Sequence, residues 1–303
     1  MKDSITFIAS SGGLCNRLRA IGVCLSITEY LELDRLQLIW FPNESCPAEF
    51  EELFVSKPNQ WQSGLNFKCG PSAKWCWNLD EMYKSNLVVN SIEPEGAIFR
   101  KLKKHYNFEM SNKEFEELYC RTIKEQFVPI MNIRKEIWEF KDKYNISERV
   151  GIQIRDMDEF WDTRSNQTKD FFSVDAYRNH RNEAFKKIMK NSGETFFSAD
   201  NKITTDEFSV IENSISFPKT WHFKERGNAH RHRSKIKQAT KRYRQNNSAH
   251  YSNLVYKHHR TTDMEDAVID LFLLSECKEL FLSDGSSFGI FASKLGNVKA
   301  TII

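Results

Sequence analysis

Short apolar runs alternate with helical stretches along this chain, and the alternation begins twice. Residues 5–9 are brief, apolar and followed by Ser-Ser-Gly-Gly, as a buried strand leading into a tight turn would be. From there Leu14, Leu18, Ile21 and Leu25 recur at helical spacing and form one apolar stripe. Strands are expected at 36–41 and 86–90, and polar-faced helices at 112–125 and 130–143. Near residue 150 the pattern restarts with a strand over 149–154. Helix 175–190, strand 194–199, helix 204–212, helix 264–276, strand 279–283, helix 286–295 and strand 298–302 follow. Strands separated by helices pair in parallel, with helices covering the sheet. The expected class is α/β, with two Rossmann-like doubly wound domains over 1–145 and 146–303, and 303 residues are enough to give each a core.

Composition narrows the function classes. Hydrophobic residues make up 40% and charged residues 28%, the balance of a globular protein rather than a disordered one. No apolar run approaches the roughly 20 residues of a membrane span. The N-terminal stretch is too quickly polar for a secretory leader, and the seven cysteines include no CxxC pair. Reduced thiols and a cytoplasmic location are the expectation. The net charge is only +3, yet residues 222–260 hold eleven Lys or Arg against the single acid Glu225. A stripe of that kind attracts phosphate, whether on a nucleotide, a nucleic acid or an acidic surface.

Four segments carry candidate chemistry. In "SGGLCNRLRA" (11–20), Gly13 and its neighbour leave backbone N–H groups open to an anion at a helix start, with Asn16 and Arg17 on the first turn. A tight strand–helix turn with surface arginines explains the same residues without a ligand. In "GIQIRDMD" (151–158), alternation puts Gln153 and Arg155 on one side of a strand at its carboxyl edge, where open α/β sheets bind ligands. Arg155 offers a planar fork for a diphosphate, or else an ion-pair partner for Asp156 or Asp158. In "FFSADN" (196–201), Asp200 suits a ribose hydroxyl or a helix cap. The fourth segment spans 264–296. Asp270 there interrupts an apolar helical run and needs a partner or a ligand. Ser286 and Ser287 in "DGSSFG" open the next helix, as a phosphate seat or as an N-cap.

Taken in order, these segments resemble a fucosyltransferase-like glycosyltransferase superfamily that includes the nodulation and core α-1,6-fucosyltransferases and the protein O-fucosyltransferases. "GGLCNRLRAIG" is similar to the family's opening segment, "GIQIRDMD" to its first motif, "FFSADN" to its second, and "AVIDLFLLSECKELFLSDGSSFG" to its third. The resemblance covers roughly residues 5–296. It implies a GT-B architecture, two Rossmann-like domains facing a cleft, and inverting, metal-independent transfer from GDP-fucose to a glycan, with no further cofactor. By that resemblance Arg155 would hold the donor diphosphate, Asp270 would accept from guanine, Asp200 would lie near base or ribose, and Ser286 or Ser287 would bind phosphate. Gly13, Asn16 and Arg17 would approach the donor or acceptor from the first domain.

Gln153 stands where the family carries His, and Asp156 where it carries a second Arg. The core-type enzymes' Glu base falls at Thr163, leaving Asp158, Glu159 and Asp162 as candidate proton acceptors. These departures motivate a second reading, the same build with another nucleotide sugar. A third, of a different class, is nucleic-acid binding through 222–260, with Tyr243, Tyr251 and Tyr256 available to stack. No RNA- or DNA-binding motif accompanies the stripe, which can equally rest on an acidic surface. Trp61, Trp75 and Trp77 either stack on acceptor sugars or pack.

Overall fold

The computed structural model describes residues 4–9, 12–33, 35–40, 46–55, 61–62, 87–90, 93–155, 182–184, 186–190, 194–200, 202–221 and 262–303. Their contacts divide into two compact units, Met1–Ile130 and Met131–His222 with Thr261–Ile303.

The first unit is built on a parallel sheet of β1 (Ser4–Ala9), β2 (Arg35–Trp40), β3 (Trp61–Gln62) and β4 (Leu87–Asn90), in the order β3-β2-β1-β4. Ile5, Phe7 and Ala9 alternate into the core. Gly12 then takes φ +78°, a backbone state that an L side chain rarely adopts, and turns the chain into α1 (Leu14–Tyr30). All four residues of the predicted stripe are buried, and α1 is covered on further sides by α3 (Glu95–Tyr106) and α4 (Asn112–Gln126). A Cβ on Gly22 would come within 2.6 Å of Ile123 and 2.8 Å of Tyr119, so this glycine lets α1 and α4 touch. Ser111 starts α4 through a capping box with Glu114. A single turn, α2 (Phe50–Leu53), completes the unit. Helix α3 is absent from the sequence reading: its buried face is only Ile98, Phe99 and Leu102, diluted by Lys101, Lys103 and Lys104.

The second unit opens with α5 (Met131–Tyr144), so it begins before the boundary at 145 drawn from the sequence. After a 3₁₀ turn at Ile146–Glu148 come β5 (Val150–Ile154), helical residues at 182–184 and 186–190, β6 (Thr195–Ala199), α6 (Lys202–Ser209) and β7 (Ser214–Ile215). Next are α7 (Met264–Ser275), β8 (Glu279–Leu282), α8 (Ser287–Gly296) and β9 (Ala300–Ile302). Helix α6 ends earlier than expected because Asn213 is left-handed and the Ser214 hydroxyl donates to the Ile211 carbonyl, closing the turn.

All five strands are parallel in the order β7-β6-β5-β8-β9. One face of the sheet packs Ile152, Ile154, Phe197 and Ala199 against Ala184, Ile188 and Phe208. The other carries Gly151, Gln153 and Ser198 towards α7 and α8. A side chain at Gly151 would collide with Leu280 at 2.4 Å and with the Cys277 sulfur at 2.9 Å, so the thiol fills the space that this central strand leaves empty. Burial pushes that thiol's pKa up, and does the same to Cys24 in α1. At the sheet's entry edge, Arg149 is spent on structure, donating to the Tyr144 and Asn213 carbonyls and pairing with Glu194. No helix among the described residues is long and apolar enough to cross a membrane.

Candidate functional site

In the second unit the strand order reverses between β5 and β8, which opens a crevice at their carboxyl ends. Ser283, just past β8, ties that edge together. Its N–H and hydroxyl both donate to the Gln153 carbonyl at 3.2 Å, and its hydroxyl accepts from the Arg155 N–H at 3.0 Å. Arg155 is therefore fixed by its backbone at the exit of the central strand and is half-buried there. Asp284 and Gly285, the latter at φ +65°, turn the chain into α8. Ser286 caps that helix, its hydroxyl accepting from the Gly289 N–H at 3.3 Å, and Ser287 opens it.

Helix α8 comes close to the strand because position 289 has no side chain. A Cβ there would lie 2.7 Å from Leu282 and 3.3 Å from Gln153 Oε1. Gln153 is only 5% exposed, and its Oε1 is buried with no hydrogen-bond partner among the described residues. An acceptor left in that state costs free energy unless a donor reaches it. Here it sits beside the first turn of a ten-residue helix, whose N-terminus favours an anion.

A second group adjoins it on β6. Ser198 is the register partner of Gln153, and its hydroxyl donates to Asp270 Oδ2 at 2.6 Å. Lys219 Nζ donates to the same oxygen at 2.6 Å and to the Ala199 carbonyl at 2.7 Å. The side chains of this pair are 3% and 5% exposed, and the Lys219 ammonium also lies 5.7 Å from the centre of the Trp221 ring. One turn earlier on α7, Asp266 accepts from the Thr220 N–H at 3.1 Å. Partial burial, with Asp263 and Asp270 nearby, pushes Asp266 up to about 6, although that hydrogen bond and Lys219 oppose the rise.

The carboxyl edge of the first unit is built differently. Arg17 is fully buried, its Nε donates to the Gly12 carbonyl at 3.1 Å, and its guanidinium lies 4.7 Å over Trp40. Asn16 packs against Gly12, and Gly13 is the N-cap residue of α1. Glu49, the N-cap of α2, is pushed up to about 7 by burial and by Glu52 and Glu51, with Arg17 pulling the other way.

No family model and no curated protein matches the sequence. Among solved structures, the NodZ alpha-1,6-fucosyltransferase soaked with GDP-fucose superposes with a TM-score of 0.52 at 15% identity, over 97% of this chain and 93% of that one. NodZ co-crystallized with GDP gives 0.51 at 14% identity, over 96% and 92%. Fucosyltransferase NodZ from Bradyrhizobium gives 0.50 at 15%, over 96% and 92%. This chain has the fold of that fucosyltransferase. The resemblance drawn from the four sequence segments is borne out at that level.

Of the residues singled out in the sequence, Gln153, Arg155, Ser286 and Ser287 gather at the β5–β8 edge. Asp270 is on the neighbouring β6 side of the same sheet face. Asp200 follows β6 and is exposed. Asp158, Glu159 and Asp162 lie outside the described residues, as do Trp75, Trp77 and 222–260. Among the described residues no three His, Cys, Asp or Glu side chains converge as a metal site would need. Lys219, Ser283 and Gly289 went unmarked in the sequence. The need for a partner at Asp270 was visible, but "FPKTW" at 217–221 carries no signal that Lys219 supplies it.

Proposed function

We propose that the protein is an inverting glycosyltransferase of GT-B build that transfers fucose from GDP-fucose to a glycan acceptor. The observation that carries this reading is the β5–β8 edge, where Arg155, the buried Gln153 oxygen and the N-terminus of α8 meet in a fold shared with a fucosyltransferase. The diphosphate would be met by the Arg155 guanidinium and the first N–H groups of α8, which stabilise the charge growing on the departing GDP. Asp270 would accept from the guanine N1 and N2 hydrogens. A carboxylate among Asp158, Glu159 and Asp162 would take the proton of the acceptor hydroxyl as that oxygen attacks the sugar carbon from the face opposite the diphosphate. Gln153 in place of His favours one alternative, the same chemistry with another nucleotide sugar.

Thermal melts test the base assignment. GDP should raise the melting temperature by mass action, and UDP, CDP or ADP at equal concentration should raise it less. A larger shift with UDP or CDP would remove guanine from the reading. Because Arg155 and the helix N-terminus carry the diphosphate charge in this scheme, transfer should survive EDTA. Complete loss of activity that Mg²⁺ or Mn²⁺ restores would overturn it.

A further inference from the structure

The buried Lys219 has no part in the transfer chemistry above, yet its surroundings give it a specific task. Resting on the nucleotide reading, we propose that Lys219 is a positioning residue that makes the site discriminate guanine from adenine by holding Asp270 ionised and in one orientation.

The geometry is that of a clamp. Lys219 Nζ bridges Asp270 Oδ2 on α7 and the Ala199 carbonyl at the end of β6, while the Ser198 hydroxyl fixes the same carboxylate oxygen from the adjacent β6 position. The lysine's own segment is anchored on its C-terminal side. Thr220 N–H donates to Asp266 one turn away on α7, and Trp221 forms an antiparallel bridge with Thr262 just before that helix. The ammonium thus cannot follow solvent, and the carboxylate cannot rotate without losing both donors.

Charge state decides what such a carboxyl group can read. Ionised, Asp270 is acceptor-only and matches the two adjacent donors of guanine, N1–H and the N2 amine. Protonated, it presents one donor and one acceptor, which matches the N1 acceptor and N6 amine of adenine instead. A carboxylate this deeply buried stays charged only beside a cation. Among the described residues, Lys219 is the cation whose ion pair with Asp270 is seen. Removing the lysine charge should therefore alter which base is preferred as well as how tightly nucleotide binds.

The experiment measures dissociation constants of GDP, ADP and inorganic pyrophosphate for wild type, Lys219→Met and Lys219→Gln by titration calorimetry. The glutamine variant keeps an amide donor for the Ala199 carbonyl, so it guards against a methionine variant that fails to fold. In either variant GDP should weaken by about tenfold or more, the scale of one lost charge-assisted contact. Pyrophosphate, which carries no base, should bind within a factor of about two of wild type. The GDP-over-ADP ratio should fall towards one. In an Asp270→Asn background the lysine substitution should change that ratio no further. A wild type that prefers GDP alongside folded variants that keep the same ratio would overturn the role of Lys219 and leave the nucleotide reading standing. An equal loss for GDP and pyrophosphate would make Lys219 merely structural. A wild type with no preference between GDP and ADP would overturn the guanine reading itself.

Discussion

The two units share a sheet plan and differ in what they do with polar groups at the carboxyl edge. Each is parallel, and in each the first strand lies inside the sheet, β1 between β2 and β4 and β5 between β6 and β8. At the first edge the buried guanidinium of Arg17 is turned back on its own loop, against the Gly12 carbonyl and the Trp40 ring. At the second edge a buried Gln153 oxygen has no donor among the described residues, and Arg155 stands at the strand exit. The same topology thus supplies a pillar in one place and a receptive surface in the other. A crevice at a strand-order reversal marks where a ligand can bind, and the side-chain inventory decides whether one is needed.

The largest expected effect separates chemistry from folding at Arg155. Arg155→Ala should lose about 3–4 kcal/mol of transition-state stabilisation, roughly 10²–10³ in kcat/KM, while melting within a few degrees of wild type. Arg155→Lys keeps the charge without the planar fork and should also be severely impaired. Near-normal transfer by a folded Arg155→Ala protein would make the second edge as structural as the first.

Arg17→Met should behave in the opposite way. It removes a buried charged hydrogen bond and a stacked group, so stability should drop by about 2–3 kcal/mol, read as a lower melting temperature. If stability holds and GDP affinity falls instead, Arg17 serves the ligand, as the sequence resemblance implies, and the contrast between the edges collapses.

The smallest effect lies in the pH dependence of stability. Asp266 in the second unit is pushed up to about 6 and Glu49 in the first to about 7, so in both the folded state disfavours the ionised form. A carboxyl with a raised pKa binds its proton more tightly when folded. Its contribution to stability therefore declines as pH climbs from about 4 through the folded-state value and is flat above it. Asp266→Asn should flatten the part of that decline that ends near 6, and Glu49→Gln the part that continues to about 7. Melting temperatures at half-unit pH steps would show this, and a slope that steepens in either variant would contradict the assignment.

Much of this architecture was legible in the sequence because burial enforces periodicity. The stripe from Leu14 to Leu25 and the strands at β1, β5 and β6 fall within a residue or two of their expected positions. Helix α3 was not, since three buried residues among lysines leave too weak a pattern. The candidate site was legible in its strand-borne members, Gln153 and Arg155, whose placement follows from alternation and the parallel sheet. Lys219 was beyond reach because it meets Asp270 from 51 positions away in the chain, and no local spacing encodes a long-range pair. Ser286 showed both of its possible uses in the sequence, and capping is the one that its hydroxyl makes within the fold.

The absence of a side chain at Gly151 has a kinetic consequence. The Cys277 sulfur occupies the space above the central strand and is 3% exposed, so a thiol reagent can reach it only when α7 lifts from the sheet. Its alkylation in the folded protein then times the opening of the second unit's interior rather than the intrinsic chemistry of the sulfur. In the proposed function a nucleotide binds at the opposite, carboxyl end of these strands, and by favouring the closed form it should slow that clock in proportion to its occupancy.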